Sequence, residues 1–208
     1  MFDLTLIQAV SLLLYLVLIA YVARSAGLTQ NLKHKTRQHL LFGSAAGLFV
    51  LWIFRTGIYP GLDVHFLWLT ACVLLLGLRM SIISSCIALL GTTVVGNEPW
   101  QMLGINGLFG IVIPIGLSYL IYNIAFHRLP KHLFVYIFVS AFFAGAATIT
   151  LKMGLIGIYY AIDGLHSWDT VTGNYLILIP LLLFTEGMLN GCLLYTSPSP
   201  RDPIGSRM

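Results

Sequence analysis

Seven runs of apolar residues alternate with short polar stretches along this chain. Such runs, with few charges inside them, predict membrane-spanning helices, because a bilayer core ~30 Å thick takes ~20 residues of helix. The predicted spans are Leu4–Ala23, Leu40–Phe54, Val64–Leu78, Ile82–Val95, Leu103–Phe126, Leu133–Ile162 and Tyr175–Gly191. The second, third and fourth are short and closely spaced, which predicts tilted hairpins joined at Arg55–Asp63 and Arg79–Ser81. The sixth is long for one straight crossing and carries Lys152. Gly154 and Gly157 follow, so a kink or break is expected there. Pro114 and Gly116 predict a bend in the fifth. The fold class is all-α, a polytopic transmembrane helical bundle of about seven spans.

Composition strengthens this reading. Hydrophobic residues make up 58% and charged residues 9%, and a soluble fold of this length has no interior for so much apolar surface. The charges then orient the bundle, since cytoplasmic loops carry excess Lys and Arg. Arg24, Lys33, Lys35, Arg37, Arg79, Arg128 and Lys131 fall on one side. Arg55 and Lys152 fall on the other, together with Asp3, Asp63, Glu98, Asp163 and Asp169. The expected N-terminus is outside and the C-terminal end cytoplasmic. The Phe2–Ala23 run lacks a basic leader and a small-residue cleavage site, so it reads as a retained helix rather than a signal peptide.

No Walker-type or Rossmann-type glycine pattern occurs, and nothing suggests a nucleic-acid partner. Cys72, Cys86 and Cys192 have neither metal-ligand nor disulfide spacing. The basic loops Arg24–Arg37 and His127–His132 sit where anionic lipid would attract them. His34, His39, His127 and His132 read as interfacial residues of that side. The lipid bilayer is the partner that composition alone implies.

From Cys192 the chain changes character. Cys192-Leu-Leu-Tyr-Thr-Ser-Pro-Ser-Pro-Arg-Asp202 reads residue for residue as a translated transposon-type sequencing adapter. Residues 1–191 are therefore taken as one transmembrane domain, and 192–208 as a non-native tail.

A few polar residues stand out. Glu186 lies in the otherwise apolar run Ile177–Leu189, where a carboxylate must be neutral, paired or hydrated. With Asn190 nearby, it is a candidate intramembrane polar or coupling residue, or else a helix-packing one. Asn106 opens the fifth span and is expected to cap backbone donors or to face an external cavity. His65 and Asp63 sit at the mouth of the third span. His166, with Asp163 and Asp169, lies in the loop before the last span and is expected to be able to meet them in space. Imidazole and carboxylate together would suit a divalent metal, and the alternative is that these are solvated loop residues.

Two strings carry a family resemblance. Leu103-Gly104-Ile105-Asn106 opens a helix, and Phe184-Thr185-Glu186-Gly187-Met188-Leu189-Asn190-Gly191 closes the last one. With Leu129-Pro130-Lys131-His132-Leu133-Phe134-Val135-Tyr136-Ile137-Phe138-Val139, they make the chain resemble the CbiM-like permeases, in a short bacterial branch. These are the substrate-recognition membrane components of energy-coupling-factor ABC transporters for cobalt and nickel. The resemblance implies a permease domain in a bacterial cytoplasmic (inner) membrane that captures a divalent transition metal as substrate. It also implies a coupling transmembrane protein and ATPase subunits on separate chains. No cofactor bound by this chain is expected. Metal-binding members begin Met-His, whereas Phe2 stands here, and His65 is the counterpart by place of a second family histidine. The competing readings are an intramembrane enzyme using Glu186 and an accessory structural membrane subunit.

Overall fold

The structure is a computed structural model that describes residues 4–28, 32–128 and 138–196. Phe2, Asp3, positions 129–137 of the quoted string with Lys131 and His132, and the tail from Ser197 lie outside the described residues.

Among the described residues the chain is helical throughout, apart from one isolated bridge. Helix α1 spans Leu6–Ser25, α2 Lys35–Ile53, α3 Leu69–Leu76 and α4 Leu78–Val94. Helix α5 runs Trp100–Arg128 and α6 Phe138–Asp163. The short α7, Trp168–Asn174, leads through a 3₁₀ turn into α8, Ile179–Thr196. Four helical stretches are long and apolar enough to cross a membrane: α1, α5, α6 and the Trp168–Leu193 unit. Helix α4 is a shorter apolar helix.

The chain is inverted relative to a soluble fold. On α1, Leu6, Leu13, Val17 and Tyr21 face outward, while Gln8, Ser11 and Tyr15 are buried. That pattern suits a hydrocarbon surround, where polar side chains turn to the bundle interior. Gln8 Nε2 donates to Tyr159 Oη at 3.0 Å, which ties the start of α1 to the end of α6. Arg79 Nη1 donates to Ser25 O at 2.6 Å, which ties the end of α1 to the start of α4. These bonds mark an acidic end of the bundle, holding Asp63, Glu98 and Asp163, and a basic end holding Arg24 and Arg79.

The third predicted span differs from its expectation. Residues Val64–Trp68 are not helical, and α3 begins only at Leu69. Thr56 and Val64 pair backbone to backbone in the antiparallel bridge. Trp68 then takes a left-handed conformation, φ 53°, and α3 starts inside the bundle. It packs against α4, α5, α6 and α8. The turn from α3 into α4 is the single residue Gly77, at φ 77°, a conformation open to glycine at little steric cost.

Where a bend was expected in α5, the helix carries a π-turn over Asn106–Val112, just ahead of Pro114. Helix α6 opens with a π-turn over Phe138–Phe143. From Ala144 it stays α-helical through Lys152, Gly154 and Gly157 to Asp163, so the expected break there does not occur. Neighbours hold that stretch, and most of its inward residues are buried. Helix α8 passes Gly191 and continues to Thr196. A chain of buried hydroxyls joins three helices: Ser118 Oγ donates to Thr70 Oγ1 at 3.1 Å, and Thr70 lies 3.5 Å from Thr148 Oγ1.

Gly104 sets how closely α1 and α5 approach. A Cβ placed there would run into the backbone of Leu12 and Ser11. Gly104→Val is therefore expected to lower stability by about 1–3 kcal/mol, the usual range for overpacking. Gly116, on the same helix, faces open space. Unfolding followed in detergent should leave Gly116→Val near wild type. Equal losses in both variants would show that the α1–α5 contact is not the cause.

Candidate functional site: a polar cavity above a capped half-helix

The broken third span creates a problem that its neighbours solve. A helix that starts inside an apolar bundle exposes backbone N–H groups with no partner in the helix. Glu186 Oε2 accepts from Leu67 N at 2.9 Å, and Oε1 accepts from Trp68 N at 2.7 Å. Asn190 Oδ1 accepts from Ala71 N at 2.8 Å. The Asn190 amide donates to Glu186 Oε1 at 2.9 Å and to Glu186 O at 2.8 Å. Spaced four apart on α8, the two side chains share one helix face. Both are wholly buried. An anionic carboxylate here also faces the positive end of the helix dipole. Every oxygen of the Glu186 side chain is thus engaged by α3 or its approach.

Between that cap and the acidic end lies a small cavity of about 30 Å³. Its polar lining is Arg55, His65, Thr92, Glu98, Asn106 and Lys152. Each comes from a different element. Arg55 follows α2, His65 sits on the non-helical stretch, Thr92 ends α4, and Glu98 precedes α5. Asn106 opens the π-turn of α5, and Lys152 projects from α6.

Glu98 organises one wall. Arg55 Nη1 donates to its Oε1 at 2.5 Å, and Asn106 Nδ2 donates to its Oε2 at 2.7 Å. Arg55 also donates to the carbonyls of Asn97 at 3.2 Å and Trp52 at 3.3 Å. Asn106 is therefore a side-chain partner of a cavity carboxylate and not a helix cap. The cavity is also lined by His65, whose ring packs 5.7 Å from Trp52. His65 Nδ1 lies 3.1 Å from Phe66 O, which can only accept, so Nδ1 carries the proton. Nε2 then offers a lone pair, and it lies 3.0 Å from Lys152 Nζ. The amine is ordinarily the more basic of the two, so the ammonium donates to the imidazole.

The sequence-selected residues do not all converge. Asp63 lies 3.9 Å from the Arg55 guanidinium. His166 Nε2 bonds to Pro60 O at 2.9 Å, and its ring packs on Tyr59 and Tyr160. His166 thus fastens the connecting loop. Among the described residues, no group of three or more His, Cys, Asp or Glu side chains is arranged to hold a metal ion. Asn106 and His65 do meet at one cavity. Arg55, Glu98 and Lys152 were not singled out as site residues. Lys152 carried the signal, as a cation within an apolar run.

Apolar helices around an internally capped half-helix, with one small polar cavity above it, define an integral membrane protein of the polytopic helical class. Its sequence matches the CbiM family, described as the cobalt uptake substrate-specific transmembrane region, over residues 1–196. The chain belongs to that family, as the strings around Asn106 and Glu186 had indicated. Two crystal structures share the fold. One, described as a transition metal transporter, is 17% identical with a TM-score of 0.79, covering 92% of this chain and 88% of that one. The other, a truncated transition metal transporter, is 16% identical with a TM-score of 0.75, covering 91% and 90%. No curated protein matches in sequence.

The cap is open to test. In Glu186→Gln, one amide oxygen remains to accept, and the amide nitrogen faces a backbone donor. The expected loss is about 1–3 kcal/mol. Asn190→Ala removes the Ala71 partner and should cost about 1 kcal/mol. Because Glu186 and Asn190 bond to each other, the double variant should lose less than the two single losses added together. Detergent unfolding reads all three. Wild-type stability in Glu186→Gln would remove the cap as the support of α3.

Proposed function

We propose that this chain is the substrate-capture membrane component of a transporter that takes up a divalent transition metal ion. Membership of the CbiM family over residues 1–196 carries this reading. The cavity at the acidic end is the proposed place of capture, with His65 Nε2 as the ligand atom and Asn106 and Glu98 as the facing wall. Imidazole suits nickel, cobalt, zinc or copper. The acidic end is read as the outer face and the basic end as the cytoplasmic face of a bacterial cytoplasmic membrane, following the distribution of Lys and Arg.

Energy for release is proposed to come from ATPase subunits through a coupling transmembrane protein, all on separate chains. The sequence has no nucleotide-binding glycine pattern of its own. Asp63 and His166 are proposed to shape the outer loop rather than to ligate, because Arg55 and Pro60 hold them. Glu186 and Asn190 are proposed to keep the half-helix in place beneath the cavity. An intramembrane enzyme using Glu186 gains no support from a carboxylate whose two oxygens already cap backbone donors.

Uptake of radioactive nickel, cobalt or zinc tests this in cells that express the chain with its neighbouring transporter subunits. Uptake should require the chain. In His65→Ala it should fall by at least about 10-fold, since the proposed ligand atom itself is lost and even outer-shell partners of a metal site cost about 10–100-fold. Accumulation of all three ions that is indifferent to deleting the chain would overturn the proposal.

A further inference from the structure

One buried cation in the bundle has an unusual partner. Lys152 is 7% exposed, in the middle of an apolar helix. Its ammonium has three protons to donate. Among the described residues, its hydrogen-bond partner is the Nε2 lone pair of His65, at 3.0 Å. A buried ammonium is ordinarily placed on a carboxylate. Here Glu98 contributes to the field around it but is bonded to Arg55 and Asn106 instead. Arg55, Asp63 and Glu186 are the other charges acting on Lys152.

We propose that Lys152 is the selectivity residue of the cavity: its ammonium occupies the coordination position at His65 Nε2 and excludes a free divalent cation until displaced. The inference rests on the reading of that cavity as the capture site. Three observations support it. The lone pair taken by Lys152 is the one a metal would need, because Nδ1 is committed to Phe66 O. Lys152 lines the same small cavity as His65, Glu98 and Asn106, so an ion at Nε2 would have to share that space with the ammonium. A divalent ion placed beside a retained ammonium and the Arg55 guanidinium would meet strong like-charge repulsion.

A tethered cation of this kind filters by affinity. Weak binders such as hydrated magnesium do not compete for imidazole, whereas ions later in the first transition row do so strongly.

The test is calorimetry of nickel, cobalt, zinc and copper binding to the full chain in detergent. Wild type, Lys152→Met, Lys152→Gln, Lys152→Arg and the double variant His65→Ala/Lys152→Met are compared. Lys152→Met and Lys152→Gln should bind at least one ion more tightly than wild type by about tenfold or more, a gain of about 1.4 kcal/mol or more. Lys152→Arg keeps the charge and should show no gain in affinity over wild type. The double variant should lose the gain, which a purely structural role for Lys152 would not produce. Of the two neutral replacements, whichever keeps the wild-type unfolding midpoint carries the comparison. Tight binding by wild type that neither neutral replacement changes would overturn the selectivity role and leave metal capture standing. Absence of binding in every variant would overturn both.

Discussion

The structure depends on one constraint: a backbone that leaves the helix inside an apolar bundle must find hydrogen-bond partners there. Non-helical backbone at such depth is tolerated only where protein surrounds it and answers its polar groups. Val64–Trp68 is such a segment, and Glu186 and Asn190 answer it from α8. Without those acceptors, the N–H groups of Leu67, Trp68 and Ala71 would stay unpaired in a dry interior. With them, α3 is held as a short central strut that α4, α5, α6 and α8 all touch.

Breaking the helix also makes room. An unbroken third span would have placed a helical turn where His65 and the cavity now lie. The extended stretch instead brings His65 into the cavity that Glu98, Arg55 and Asn106 also line, and within reach of Lys152. Cap and cavity are thus two consequences of one departure from helical geometry, one on each side of Leu67–Trp68. Trp52 spans both sides, its indole N–H donating to Leu67 O at 3.3 Å while its ring meets His65.

Much of the fold was legible in the apolar runs. The first and fifth spans appear close to their expected bounds, and Gly104, in the string that ends at Asn106, proved to be a point of helix contact. The third span was read as helix because Val64–Leu78 is mostly apolar, and periodicity cannot separate a buried helix from buried extended chain. The candidate site was only partly legible. His65 and Asn106 were selected and do share a cavity, whereas Asp63 and His166 turned to Arg55 and Pro60. Loop residues have no register that sequence spacing can fix, so their partners depend on how the loops fold back.

By itself the sequence determined that the chain lives in a membrane as a helical bundle, with most of its basic residues, though not Arg55 and Lys152, sorted to one end. Those properties follow from local composition, because each ~20-residue run answers to the bilayer independently. It also marked Glu186 and Lys152 as anomalies, since a charge in an apolar run needs a partner wherever it lies. Only the tertiary structure decided which partners they have. Glu186 meets the N–H groups of residues 119 and 118 positions away in the chain, and Lys152 meets an imidazole 87 positions away. Pairings at that separation are set by how whole helices pack, and no local pattern encodes them.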